Sequence, residues 1–181
     1  MPGPQTPPRI LRGIPPELQG AAAALYWRHF GAQVLPLPVA ARQGVALAPS
    51  GRLVGIVGLR GAGGGFLDPS AEGFVAVWGP ARGRLRHLAA GLYRPGAATA
   101  DLVLDGIAVL PQWRRQGIAR ALIRCAAAHA SALGHPALRA EVQAGNRDGL
   151  AAWQAMGFCP LARQRLGWPW SAPAHVLRLP L

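Results

Sequence analysis

At 181 residues, 51% of them apolar and 14% charged, the chain can bury one sizeable core and is too apolar to be a disordered segment. All 19 basic residues are arginine against seven acidic ones, a net charge of +12. Amid so much Ala, Gly and Pro this reads first as compositional bias, although a basic surface draws in anions. No basic run interleaved with aromatics marks a nucleic-acid interface. Cys125 and Cys159 are too few and too isolated for a disulfide framework or a zinc site, so no metal is expected.

The first ten residues, MPGPQTPPRI, have no apolar stretch of signal-peptide type, and no run approaches about 18 apolar residues. A cytoplasmic protein without a membrane span is therefore expected. Four prolines within residues 1–8 predict a loose tail, leaving 9–181 as a single domain. Arg9 to Arg12 reads as a strand. Pro15-Pro16-Glu17 is a helix start, with Pro tolerated in the first turn and Glu favourable to the dipole, and the spacing of Leu18, Ala22, Leu25, Tyr26 and His29 predicts a helix over Pro16–Phe30. Pro36 and Pro38 prevent its continuation. Gly44–Ala48 and Arg52–Leu59 read as a hairpin about Pro49-Ser50-Gly51.

In the segment 60–100, Gly61, Gly63, Gly64 and Gly65 mark a flexible loop. Phe74, Val75, Val77 and Trp78, then Leu85, Leu88, Leu92 and Tyr93, predict one or two apolar helices. They are either a lid or a packed pair that enlarges the core, and packing needs no functional reason. Leu102–Val109 is a strand of alternating faces, stopped by Pro111. The basic turn Arg114-Arg115-Gln116-Gly117-Ile118-Ala119 leads from it into a helix. Strand, turn and helix start together make a place for phosphate, because loop N–H groups and the positive helix end point the same way. Ile118, Leu122, Cys125, His129 and Leu133 are expected to face the core, with Arg120 and Arg124 in water. Gly134 and Pro136 end the helix. Ala137–Val142 is the next strand, with Arg139, Glu141 and Gln143 opposite its core face. Asn146 caps a helix with the stripe Leu150, Trp153 and Met156, ending at Gly157. Phe158–Arg163 and His175–Leu179 are the last strand candidates.

Arg114-x-x-Gly117-x-Ala119, preceded by Ile107-Ala108-Val109-x-Pro111, resembles the acetyl-CoA pyrophosphate loop of the GNAT acyltransferase superfamily. Alone the match is weak. Asn146 followed by Trp153-x-x-x-Gly157-Phe158 resembles a second pattern of the same family, in the right order and at the right separation, so the two together are specific. The resemblance is firmest over 101–160. It implies an α/β (α+β) fold, with a mixed, mostly antiparallel sheet splayed at the CoA strand, helices on its faces and a helical insertion at 60–100. It also implies direct transfer of an acetyl or other short acyl group from acyl-CoA to an amine of a small molecule or peptide. Backbone groups of Ile107, Ala108 and Val109 would pair with pantetheine, Arg114, Arg115, Gln116, Gly117, Ile118 and Ala119 would take the pyrophosphate, and Asn146 would bond the pantetheine arm. Gly106 suits a bulge or a close approach.

Trp153 departs from the family, which often places there a Tyr that protonates the leaving thiolate; an indole cannot do so. Asp105 is the first candidate for a general base and Glu141 the second, while a carboxylate paired to arginine is the structural alternative for Asp105. The departure at Trp153 also admits a CoA-binding regulatory module without catalysis, and an Arg-rich nucleic-acid-associated protein is a weaker third reading. Trp168 and Trp170 would suit an apolar acceptor or a homodimer contact, or would cover the end of the core.

Overall fold

The computed structural model describes residues 8–30, 44–47, 50–61, 64–65 and 69–181. Residues 1–7 of the predicted tail, Pro36, Pro38, Ala48, Pro49 and Gly63 lie outside them. Strand β1 (Arg9–Arg12) is followed by a 3-10 turn (Pro16–Leu18) and helix α1 (Gln19–Phe30), which together cover the predicted helix. Strands β2 (Gly44–Leu47) and β3 (Leu53–Arg60) form the hairpin. Helices α2 (Ala71–Trp78) and α3 (Pro80–Ala90) occupy the insertion. Then come β4 (Leu102–Val109), α4 (Ile118–Ala132), β5 (Ala137–Gln143), α5 (Arg147–Ala155), β6 (Cys159–Gln164) and β7 (Ala174–Pro180).

Among the described residues seven strands make one sheet in the order β1-β2-β3-β4-β5-β7-β6. Every pairing is antiparallel except β4 with β5, which α4 connects. A parallel neighbour needs a crossover rather than a hairpin, and α4 is that crossover. Helix α1 covers one face, packing Ala22, Leu25 and Tyr26 against Ile56 and Ala108. On the other face Ile118, Leu122, Ile123, Ala126 and Ala130 of α4 join Val57, Leu104, Leu138 and Leu177.

A single extra residue in β4 decides which side chains reach which face. Gly58 pairs with Gly106 and Leu59 with Leu104, so Asp105 is bulged out. An extra residue shifts the two-residue alternation by one. Leu102 and Leu104 before the bulge, and Ile107 and Val109 after it, therefore share the α4 face, while Ala108 lies on the α1 face. Gly106 has φ +148°, and a Cβ there would stand 3.0 Å from two ring carbons of Phe30. Glycine is required at this position both for the backbone angle and for the ring of α1 that presses on it.

Two expectations are corrected. The buried stripe of α4 is Ile118, Leu122, Ala126 and Ala130, with Ile123 beside it, and Leu133 is 60% exposed. At 3.6 residues per turn a four-residue step advances about 40° round the helix, so the buried strip winds obliquely across α4 and leaves Cys125, His129 and Leu133 on its flank. Nor does the insertion enlarge the core through its leucines. Phe74 is fully buried and meets His87 edge-on, but Leu85, Leu88 and Leu92 are exposed. Gly83 turns toward α2, whose backbone at Phe74 and Val75 lies so close that a Cβ would not fit, which fixes the leucines on the opposite side of α3.

Candidate functional site

Strands β4 and β5 pair only through Leu102–Leu104 and Leu138–Ala140. Beyond that point β4 continues with β3 as far as Val109, and β5 continues with β7 as far as Gln143. The bulge at Asp105 bends β4 where the two part, and a cleft opens between them. Leu110 N–H donates to Val54 O at 2.9 Å, so Leu110 and, two residues back, Ala108 direct their backbone groups toward β3. By the same alternation Ile107 and Val109 direct theirs into the cleft. The backbone of Ala108 is thus engaged with β3, and its side chain is packed beneath α1.

At one end of the cleft the chain leaves β4 through a 3-10 turn at Pro111–Trp113 and enters α4. Arg115 has φ +59° and Gly117, the residue before the helix, φ +78°. These left-handed positions let the loop turn its N–H groups outward, and the first N–H groups of α4 have no preceding helical carbonyl to bond. Gly117, Ile118 and Ala119 lie at this start; Arg115 and Gln116 are exposed. Arg114 is placed otherwise. Its Nε donates to Val109 O at 3.2 Å and its Nη2 meets His29 Nε2 at 2.9 Å. His29 Nδ1 lies 3.1 Å from Leu25 O, an atom that only accepts. The proton therefore sits on Nδ1, and Nε2 accepts from Arg114. Arg114 thus ties α1 to the end of β4. Asn146 caps α5, its Oδ1 accepting from Gly149 N–H at 2.9 Å, which leaves the amide N–H groups for a ligand.

At the other end stand the carboxylates. Asp105 and Glu141 are each the first residue past the last β4–β5 pair. Arg60, at the end of β3, joins them: Nε to Asp105 Oδ1 at 2.7 Å and Nη2 to Glu141 Oε2 at 3.2 Å. Arg139, buried under the sheet, stands 3.1 Å from Glu141 Oε1, but among the described residues no hydrogen bond of good geometry reaches that oxygen. Burial works against the charge of Arg60, yet Asp105 and then Glu141 outweigh it and hold its pKa above the usual value. Tyr26 and Tyr93 border this group. Burial first, then the charge of Asp105, raises both hydroxyls above the ordinary tyrosine value, with Glu141 adding to the effect at Tyr93. Both hydroxyls therefore keep their protons at neutral pH.

Sequence reasoning brought Asp105, Glu141, Ile107, Val109 and the Gly117 turn to one cleft, and its structural alternative for Asp105, a carboxylate paired to arginine, is met by Arg60. It missed Arg60, Tyr26 and Tyr93. An arginine at a strand end carries no local signal, because its partners lie 45 and 81 positions away. Trp153 is buried edge-on against Phe158, with ring centres 4.9 Å apart, and is a core residue. Among the described residues no cluster of three or more His, Cys, Asp or Glu is placed to hold a metal, and no helix is long and apolar enough to cross a membrane.

The sequence profile of the acetyltransferase (GNAT) family matches residues 22–158, well over half of the chain. The chain belongs to that family. Its splayed cleft and turn–helix junction lie within the matched span. Among solved structures, a GCN5-related N-acetyltransferase from Kribbella flavida superposes with a TM-score of 0.62 at 16% identity, over 96% of this chain and 98% of that one. NAA60 from Arabidopsis thaliana, solved with acetyl-CoA, gives 0.59 at 15%, over 96% and 100%. The ribosomal-protein-S18-alanine N-acetyltransferase of Escherichia coli gives 0.56 at 16%, over 96% and 93%. At these identities the likeness is one of fold, and it extends beyond the profile match to the seven-stranded GNAT sheet as a whole. No curated protein sequence matches the chain.

Proposed function

We propose that this GNAT protein moves an acetyl or other short acyl group from acyl-CoA directly to an amine of a small molecule or peptide. The observation that carries the reading is the parting of β4 and β5 beyond Leu104 and Ala140, with an anion-ready turn at one end and paired carboxylates at the other. Acyl-CoA supplies the acyl group already activated as a thioester. The donor set of the chain suits it. Ile107 and Val109 offer backbone groups along the cleft to the pantetheine arm, as a strand edge offers them to an added strand. Gln116, Gly117, Ile118 and Ala119 present N–H groups to the pyrophosphate, with Arg114 and Arg115 adding positive charge. The Asn146 amide donates to the arm beside β5.

The Ile107 N–H, held by the bulge, polarises the thioester carbonyl. Asp105 accepts the proton of the attacking amine, and Arg60, itself held by Glu141, positions the Asp105 carboxylate at the point where the strands part. Trp153 does not serve as the acid, so water or another donor protonates the departing thiolate. Trp153 also motivates a second reading, a CoA-binding module without turnover.

Calorimetry with acetyl-CoA followed by a thiol-release assay over a panel of amines separates the two readings. Binding with turnover on at least one amine is expected. Binding with no turnover on any amine favours the module, and absence of binding overturns both.

A further inference from the structure

Between β6 and β7, residues 165–173 carry two tryptophans, Trp168 half-buried and Trp170 exposed. Trp168 and Trp170 stack in parallel, 5.5 Å between ring centres with 4° between planes. Trp170 is 75% exposed, whereas Trp168 is half-buried, so the outer ring of the pair stands in water. The tryptophans are braced rather than adrift. Ser171 Oγ accepts from Trp168 N–H at 3.0 Å, and Ser171 N–H donates to Trp168 O at 2.9 Å. Arg94 and Gly167 exchange two backbone hydrogen bonds of 2.8 Å, which fasten the loop to the end of the insertion.

The insertion in turn carries the aromatic row into the cleft. Tyr93, one residue before that bridge, meets Trp168 edge-on at 5.4 Å. Its hydroxyl feels the charges of Asp105 and Glu141. Three residues further on, the Gly96 backbone lies directly against the Glu141 carboxylate, where a side chain would have no room. Asp105 and Glu141 are thus followed outward by Tyr93, then Trp168, then Trp170. An indole face left in water beside a carboxylate-lined cleft offers a flat apolar group a surface to stack on. Asp105, which takes the amine proton in the reading above, stands at the inner end of the row.

We infer that Tyr93, Trp168 and Trp170 form the acceptor subsite, and that the acceptor is an amine carrying a planar apolar group a few bonds from its nitrogen. This rests on the acyl-transfer reading above and adds the acceptor's class to it.

The test compares tryptamine and phenethylamine with n-butylamine, using acetyl-CoA as donor, in the unaltered chain, Trp168→Ala and Trp170→Ala. The arylalkylamines should show at least tenfold higher kcat/KM than butylamine. Both variants should lower that preference at least fivefold through the KM for the amine, with the KM for acetyl-CoA unmoved. Equal use of aryl and alkyl amines, or a preference that survives both substitutions, overturns the subsite while leaving acyl transfer intact. If no amine turns over, phenethylamine titrated against tryptophan fluorescence in the presence of CoA still decides. Quenching that Trp170→Ala abolishes supports the subsite, and no quenching in the unaltered chain overturns it. Trp170 is exposed, so its replacement does not threaten folding.

Discussion

Asp105 and Glu141 stand opposite one another at the fork of the sheet, each one residue past the last β4–β5 pair, and one arginine side chain binds both. Their side chains retain only 18% and 17% exposure, which places two negative charges in a half-dry setting that Arg60 keeps from repelling each other. The carboxylates are therefore a single unit, and substituting either one disturbs the other.

Asp105→Asn is expected to lower turnover by roughly 10²-fold or more, the usual effect of removing a general base. Glu141→Gln should cost less, because in this scheme Glu141 acts by positioning Arg60. Thiol release at saturating acetyl-CoA measures both. If Asp105→Asn retains kcat within about threefold while Glu141→Gln suffers a loss of the size typical for a base, the role belongs to Glu141.

Gly106→Ala should destabilise the protein by about 2 kcal/mol, since the new Cβ meets both an unfavourable backbone angle and the Phe30 ring. Gly51→Ala is the comparison. Its φ is +78° with open space around it, so only the backbone term, about 1 kcal/mol, applies. Urea unfolding should rank Gly106→Ala as the more damaging; the reverse order would remove the Phe30 contact from the account.

Trp153→Phe tests whether this position does chemistry. An indole has no proton to give at neutral pH, and the ring is packed on Phe158. Turnover should therefore change little, with a stability loss of about 1–3 kcal/mol from the volume removed. A hundredfold loss of kcat in a well-folded variant would return Trp153 to the catalytic machinery.

The two tyrosines make alkaline stability predictable in sign. In the unfolded chain both titrate near 10.0, whereas in the folded protein burial and Asp105 raise both. Above pH 10 the unfolded state then releases protons that the folded state keeps, so stability falls as pH rises toward the folded values. Below pH 10 the contribution is fully present. Absorbance near 295 nm should show no tyrosinate at its ordinary pH while the circular dichroism of the fold persists. Since the chain has only two tyrosines, Tyr26→Phe should halve the eventual signal.

What the sequence by itself determined is everything that rests on neighbours along the chain. The β4 strand, its stop at Pro111, the Gly117 turn into α4, the Asn146 cap and the α5 stripe are local patterns of two- and four-residue periodicity and of glycine and proline chemistry. So were the family and the end of the cleft suited to a phosphate, because that end is built from one continuous stretch. Tertiary structure decided the rest. Whether Asp105 stands free or paired depended on Arg60, which reaches it only through the β3–β4 register. That Arg114 folds back on His29, and that Leu85, Leu88 and Leu92 face water, followed from which helix lay beside them. The carboxylate end of the cleft is assembled from β3, β4 and β5, with the insertion and the β6–β7 loop beside it. Contacts between such distant segments leave no periodic trace in a single sequence, because each side chain's partner is chosen by packing rather than by spacing.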